Sequence, residues 1–365
     1  MQIFNNTISL STDCFAILNA YAGVSKEQIC IFDIETTGFS PKVSSLYLIG
    51  ALWYNANEKT FYTRQWFADD YISEKEIIEN FTEFLSTFTT LVHYNGGGFD
   101  IPYIEKKCKD LHIPSPFLQI ESLDIFKEIR RLKPLFDVPN LKLLTAEKLV
   151  GFLRKDLLSG KDCIETYSQF MQKKFFKDNS KDVEREKLLL HNQEDLIGTW
   201  HCSRLLSYHC IGKFHSINES DTNCQISFTA PLVFPFPLKW EVSSSFTLRL
   251  EDQWIHLEIQ LHTGELCHFF KNYKDYYYLP EEDTAIHKSV GAYVEKEFRQ
   301  QAKACNCYIR QNAIFLPVPE GYPHDEKRFF RMDYKNKQNY VIWDANTKQD
   351  SSFFEEILSI IMASF

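Results

Sequence analysis

Three short segments carry side chains suited to metal and phosphate chemistry. Asp33 and Glu35 flank Ile34 at the end of an apolar run, QICIFDIE. Strand side chains alternate between faces, so carboxylates at i and i+2 project together. Two such groups repel unless one is protonated or a cation bridges them. Hard oxygen donors favour Mg2+ or Mn2+ over zinc. The same pair also suits an ordinary acidic patch at a strand end. Asn95-Gly-Gly-Gly-Phe99-Asp100 closes a second apolar run, LVHYN. Its glycines permit a sharp turn and close chain approach, and Pro102 suits the first turn of a helix. Asp100 reads either as a site carboxylate or as that helix's cap. The third segment is His191-Asn-Gln-Glu-Asp195. On a helix, i and i+4 share one face. His191 then reads as a general base beside a metal-binding Asp195, or the two simply share a solvated face.

The elements that must position these groups follow from hydrophobic periodicity. Residues 28–35, 46–55 and 61–67 read as strands. Residues 73–88 read as an amphipathic helix, with Ile77, Ile78, Phe81, Phe84, Leu85 and Phe88 on one stripe. LVHYN then reads as a strand and 101–111 as a helix. Segments 140–150, 163–175 and 181–210 read as helices. Asp124 reads as the cap of the helix that follows it rather than as a fifth site carboxylate. This order predicts an α/β unit built on a mixed sheet.

The chain has 365 residues, enough for two domains at ~150 residues each. Residues 211–237 lose periodicity and contain PLVFPFP, which predicts a linker between a 1–210 domain and a smaller α+β domain over 238–365. In the latter, 244–250, 253–261, 264–270 and 274–279 read as a meander and 284–304 as a helix. CYIRQNAIFLP reads as a hairpin and 352–364 as a closing helix. Apolar residues at 44% and charged residues at 24% exclude collagen, coiled coil and global disorder. The ten cysteines form no CxxC pair, and no window approaches the ~20 apolar residues that cross a bilayer. A cytoplasmic protein without a membrane partner is expected.

Together, FDIETTG, HYNGGGFDIPYI and the late His191–Asp195 pair resemble the DEDD-type 3′-5′ exonucleases of the RNase H-like superfamily. Among these the chain is most similar to the bacterial YprB-like group. The resemblance covers about residues 25–205. It implies an RNase H-like mixed sheet flanked by helices. It also implies that Asp33, Glu35, Asp100 and Asp195 hold two divalent ions, Mg2+ or Mn2+. Thr36, Thr37, Asn95 and Phe99 would then meet the terminal nucleotide. His191 would orient or deprotonate the attacking water, with Glu194 and Asn192 as alternatives. One branch of the family has Tyr with three residues between it and the last Asp, and the other has His with four. This chain has His with three. The implied activity is 3′-5′ exonucleolysis of single-stranded DNA or RNA. A catalytically silent nucleic-acid-binding module and an RNase H-type endonuclease are the rival readings.

The formal charge is −9, which taken alone argues against nonspecific coating of nucleic acid. The charge is uneven, however. Residues 127–187 hold 15 basic and 10 acidic residues. EIRRLKP, with Arg130 and Arg131, and FLRKD, with Arg154 and Lys155, are the densest spots and are expected on a phosphate-tracking rim.

Overall fold

The computed structural model describes residues 1–156, 158–178, 180–323 and 328–364. Two compact units are present: Met1–Cys210 with Phe234–Phe236, and Ile211–Val233 with Pro237–Phe365.

The first unit is built on a six-stranded mixed sheet. Its strands are β1 (Gln2–Ile8), β2 (Ile29–Thr36), β3 (Leu46–Asn55), β4 (Thr60–Phe67), β5 (Thr90–His93) and β6 (Glu121–Asp124). The spatial order is β1-β4-β3-β2-β5-β6. β1, β4, β3 and β2 run antiparallel to their neighbours, while β5 and β6 run parallel to β2. β2 is therefore central, and seven of its eight residues are buried. Strands buried on both faces read as apolar runs, which is why QICIFDIE was legible. The helices are α1 (Asp13–Ala22), α2 (Glu74–Leu85), α3 (Asp100–Leu111), α4 (Ile125–Ile129), α5 (Leu143–Leu149), α6 (Gly160–Phe175) and α7 (Lys181–Cys202). α2 buries Ile77, Ile78, Phe81 and Leu85, the stripe expected from its sequence. α6 and α7 pack together, and α7 lies against β2 and β3. α7 ends at Cys202, and a 3-10 turn over Ser203–His209 takes the place of its expected last turns.

The second unit differs from its sequence reading in several places. The expected linker 211–237 instead carries β7 (Lys213–Glu219) and β8 (Asn223–Thr229). Cys224, Ile226 and Phe228 alternate inward along β8, a strand period that the surrounding Ser, Asn and Asp residues obscured. These strands join β9 (Leu238–Glu241), β10 (Phe246–Glu251) and β11 (Trp254–Gln260) in a sheet of order β7-β8-β11-β10-β9. β12 (His262–Phe269) leaves that sheet, so the expected meander breaks after β11. β13 (Tyr276–Leu279) pairs with β14 (Thr284–His287). The expected helix over 284–304 is thus replaced by β14, the single turn α8 (Lys288–Gly291), a 3-10 turn and β15 (Gln300–Gln301). Pairing with the tyrosine strand overrides the local helical pattern there. Tyr276 stacks on Phe270 and Tyr278 donates to Asp283, so these rings serve packing. CYIRQNAIFLP forms one strand, β16 (Tyr308–Pro317), rather than a hairpin. β16 lies between β12 and β17 (Tyr340–Ile342), and α9 (Ala345–Gln349) and α10 (Ser351–Ala363) follow. No helix among the described residues is long and apolar enough to cross a membrane.

Candidate metal centre

Asp33 and Glu35 leave β2 on one face, as their spacing requires. A register shift between Glu35 and Thr36 breaks the ladder to β3 just beyond them, the kind of irregularity that re-aims side chains beside functional sites. Asp33 sits opposite Gly50 of β3. That glycine is required by contact: a Cβ there would lie 2.0 Å from the Asn192 Oδ1. Asn192 therefore reaches over β3. It donates to Asp33 Oδ2 at 2.9 Å and accepts from Gln65 Nε2 at 2.9 Å.

The Asn95–Asp100 turn is held from beneath. His93 is buried, and its Nδ1 accepts from the Gly96 N–H at 3.0 Å. A Cβ on Gly96 would meet the His93 ring at 2.8 Å. The left-handed backbone falls on Asn95, with φ of 60°, not on the glycines. Asp124 caps α4 through Lys127 N–H, and it also accepts from the Asn95 and Gly97 N–H groups. Asp100 does not cap α3. Its Oδ1 accepts from the Ile34 N–H at 3.2 Å, which fastens the start of α3 to β2.

α7 supplies the remaining groups. His191 Nε2 lies 3.5 Å from Glu35 Oε1 and 3.7 Å from Asp195 Oδ2. Its Nδ1 is 2.5 Å from Asp156 Oδ2. With an ionised Asp156 that nitrogen carries the proton, so a neutral ring presents Nε2 as an acceptor. Asp195 Oδ1 pairs with Arg154 Nη1. The same guanidinium grips buried Glu147 through Nε at 2.6 Å and Nη2 at 2.5 Å. Such two-point pairing fixes orientation as well as charge. Glu194 turns away from the site and accepts from the Lys155 and Asp156 N–H groups. Asn192 is a hydrogen-bond bridge with no proton to take. Both alternatives to His191 are thereby absorbed by structural roles.

The carboxylates of the site repel one another. Burial, then Asp195, Asp100 and Glu35, hold Asp33 well above the usual carboxylate range, while Asn192 pulls it down. Burial pushes Glu35 up to about 8; His191 opposes the shift, and Asp195 and Asp100 add to it. Burial lifts Asp100 to about 7 against the backbone N–H groups it accepts from. For His191, burial disfavours the charged ring, yet Asp195, Glu35 and Asp156 outweigh it and hold its pKa above 6.5. Among the described residues no Lys or Arg pairs with Asp33 or Glu35. One oxygen each from Asp33, Glu35 and Asp195 lie within 4.8 Å of one another. Like charges held this close in a buried place fit a hard divalent cation. Asp100 is not part of this triplet, although it lines the same cleft.

That cleft has a volume of about 630 Å3. Thr36, Asn95 and Phe99 line it with Asp33, Glu35, Asp100, His191 and Asp195. Thr37 does not: its N–H and Oγ1 bond Ser45 and close the β2–β3 loop. An adjoining cleft of about 600 Å3 shares Asp33, Asn95 and Asp195 and is lined by Arg130, Lys133 and Lys142. Arg131 lines neither cleft and lies beside Tyr21 and His209 instead. Other members of the basic stretch are spent on ion pairs, including Lys173 with Glu184 and Lys174 with Asp69.

Residues 30–207 match the family model of the RNase H superfamily. The match covers a little under half of the chain and falls within the first unit. No curated protein matches the chain. The RNase H-like α/β fold of this unit, with a further unit built on separate antiparallel sheets, agrees with the sheet order above. An RNase H-like unit with a buried acidic cluster fits a nuclease that uses divalent metal and acts on nucleic acid.

Nothing in the sequence marks Asp156, Glu147 or Gln65 as parts of this site, and its basic pattern places Arg154 on a phosphate rim rather than on Asp195. Asp156 and Arg154 lie in an irregular segment with no periodicity to read. Asp156 reaches His191, 35 residues away, and Arg154 reaches Asp195, 41 residues away.

Proposed function

We propose that the RNase H-like unit is a metal-dependent 3′-5′ exonuclease acting on single-stranded DNA or RNA. The observation that carries this reading is the convergence of the Asp33, Glu35 and Asp195 carboxylates beside the His191 imidazole at a cleft floor. Asp33, Glu35 and Asp195 would hold one Mg2+ or Mn2+, and Asp33 with Asp100 would serve a second. When bound, such ions stabilise charge on the attacking and leaving oxygens of phosphodiester hydrolysis.

The chain's own groups do the rest. His191 takes the proton of the attacking water at Nε2, and Asp156 keeps that nitrogen an acceptor by holding Nδ1–H. Asp195 and Glu35, two of the three carboxylates that favour imidazolium, are ones a bound cation would neutralise, which would leave Nε2 freer to accept. Arg154, braced by Glu147, holds the Asp195 carboxylate in place. Thr36, Asn95 and Phe99 receive the terminal nucleotide, and Arg130, Lys133 and Lys142 follow the phosphates.

The test is incubation with Mn2+ or Mg2+ and 5′-labelled single-stranded DNA and RNA, beside Asp33→Ala and Asp195→Ala. A stepwise ladder from the wild type alone supports the proposal. Internal cuts would point to an endonuclease, and binding without product to a silent module; either result overturns it.

A further inference from the structure

A second donor set overlaps the carboxylate triplet and has different chemistry. Cys163, on the first turns of α6, is fully buried. Its thiol, a Glu35 oxygen and a His191 ring nitrogen lie within 4.8 Å of one another. The set holds one sulfur, one nitrogen and one oxygen donor, a combination that suits zinc and is poor for magnesium.

The geometry around His191 is an independent observation pointing the same way. Its Nδ1 is held by Asp156 at 2.5 Å, so Nε2 is left to face Glu35 Oε1 at 3.5 Å. A carboxylate bonded to the far nitrogen is the usual brace of a zinc-binding imidazole. Two donors at ~2.1 Å from a tetrahedral ion stand ~3.4 Å apart, which the 3.5 Å separation matches. Asp195 Oδ2, 3.7 Å from Nε2, or a water is available for the fourth position. An approach exists as well. Ser159, Gly160 and Ile164, around Cys163 on α6, line the cleft that also reaches Glu35 and His191.

We infer that Glu35, Cys163 and His191 form a zinc site that excludes the hard-metal triplet, because Glu35 belongs to both sets. Binding displaces the Cys163 thiol proton to solvent and occupies the Nε2 lone pair. Zinc therefore inhibits hydrolysis by taking both a metal ligand and the base. The inhibitory consequence rests on the nuclease reading; the binding does not.

The test uses the full chain stripped of metal and titrated with Co2+, a spectroscopic substitute for zinc. Wild type is expected to show a thiolate-to-cobalt charge-transfer band in the near ultraviolet, bleached by added Zn2+. Cys163→Ala and Cys163→Ser are expected to lose that band, with circular dichroism and thermal midpoint checked for an intact fold. Loss of this sulfur is expected to weaken Zn2+ by at least the ~10–100-fold that loss of an outer partner costs. An absent band in wild type, or one retained by both folded variants, overturns the site. Hydrolysis with Mn2+ is then measured against added Zn2+. Cys163→Ala should keep the Mn2+-dependent rate and need at least ~10-fold more Zn2+ for half inhibition. Equal inhibition of both proteins overturns the inhibitory role. A Cys163-dependent band in a protein that cleaves nothing supports the zinc site and refutes the nuclease reading alone.

Discussion

Replacing Gly50 with alanine tests how the centre is held. The added Cβ would stand 2.0 Å from Asn192 Oδ1 and 2.8 Å from its Cγ, closer than real contacts permit. Asn192 is fully buried, so its side chain cannot swing into water. Moving it breaks the 2.9 Å bonds to Gln65 and to Asp33. Each buried hydrogen bond is worth about 1 kcal/mol, and residual crowding adds about 1–2 kcal/mol. The expected loss is therefore about 3–4 kcal/mol, measured by urea unfolding of the metal-free protein. Asp33 also loses the donor that favours its ionised form. The Mn2+ needed for half-maximal binding should then rise at fixed pH. Because the damage acts through Asn192, the Gly50→Ala/Asn192→Ala double variant should be no less stable than Asn192→Ala by more than ~0.5 kcal/mol. A Gly50→Ala protein with unchanged stability and unchanged Mn2+ binding would show that Asn192 does not brace Asp33 through this contact, as would strict additivity in the double variant.

Three further outcomes are expected. Asp33, Glu35 and Asp100 have raised pKa values in the cation-free fold, so that fold binds more protons than the unfolded chain. The contribution of these three groups to stability should be greatest below ~4, where they are protonated in both forms. It should decline as pH climbs through about 7 and about 8, the Asp100 and Glu35 values, and added Mn2+ should raise the thermal midpoint more at pH 8 than at pH 5.5. Asp156→Asn should lower kcat by about 10–100-fold with KM little changed, since it acts through the orientation of His191; steady-state rates would show this. Arg130→Ala and Lys133→Ala should each weaken single-strand binding across sequences and reduce the salt slope by about 0.7, measured by fluorescence anisotropy against salt concentration.

The acidic groups of the cleft were legible because two simple periods align them. Period two puts Asp33 and Glu35 on one face of β2, and the four-residue helical repeat aligns His191 with Asp195 on α7. Asp156 and the pairing of Arg154 with Asp195 were not legible, because no period governs an irregular segment and tertiary packing alone makes these contacts. Gly50 lies within the expected strand 46–55, and its importance lies in a side chain more than 140 positions away. Arg130 and Arg131 are adjacent in sequence, yet the turn after α4 sends only Arg130 to a cleft. In the second unit, local helical pattern around 284–304 yielded to pairing with the Tyr276–Leu279 strand, and β7 and β8 were hidden by polar composition. The first unit was clearer because its buried strands are apolar runs punctuated by glycine.

The central claim is that Asp33, Glu35 and Asp195 together bind a divalent cation. Mn2+ titration of the metal-free full chain, followed by electron paramagnetic resonance of the free ion, tests it directly. Wild type should take up Mn2+, and this uptake should be lost, or weakened at least ~10-fold, in folded Asp33→Asn and Asp195→Asn. Equal uptake by these variants, or none by the wild type, would contradict that claim.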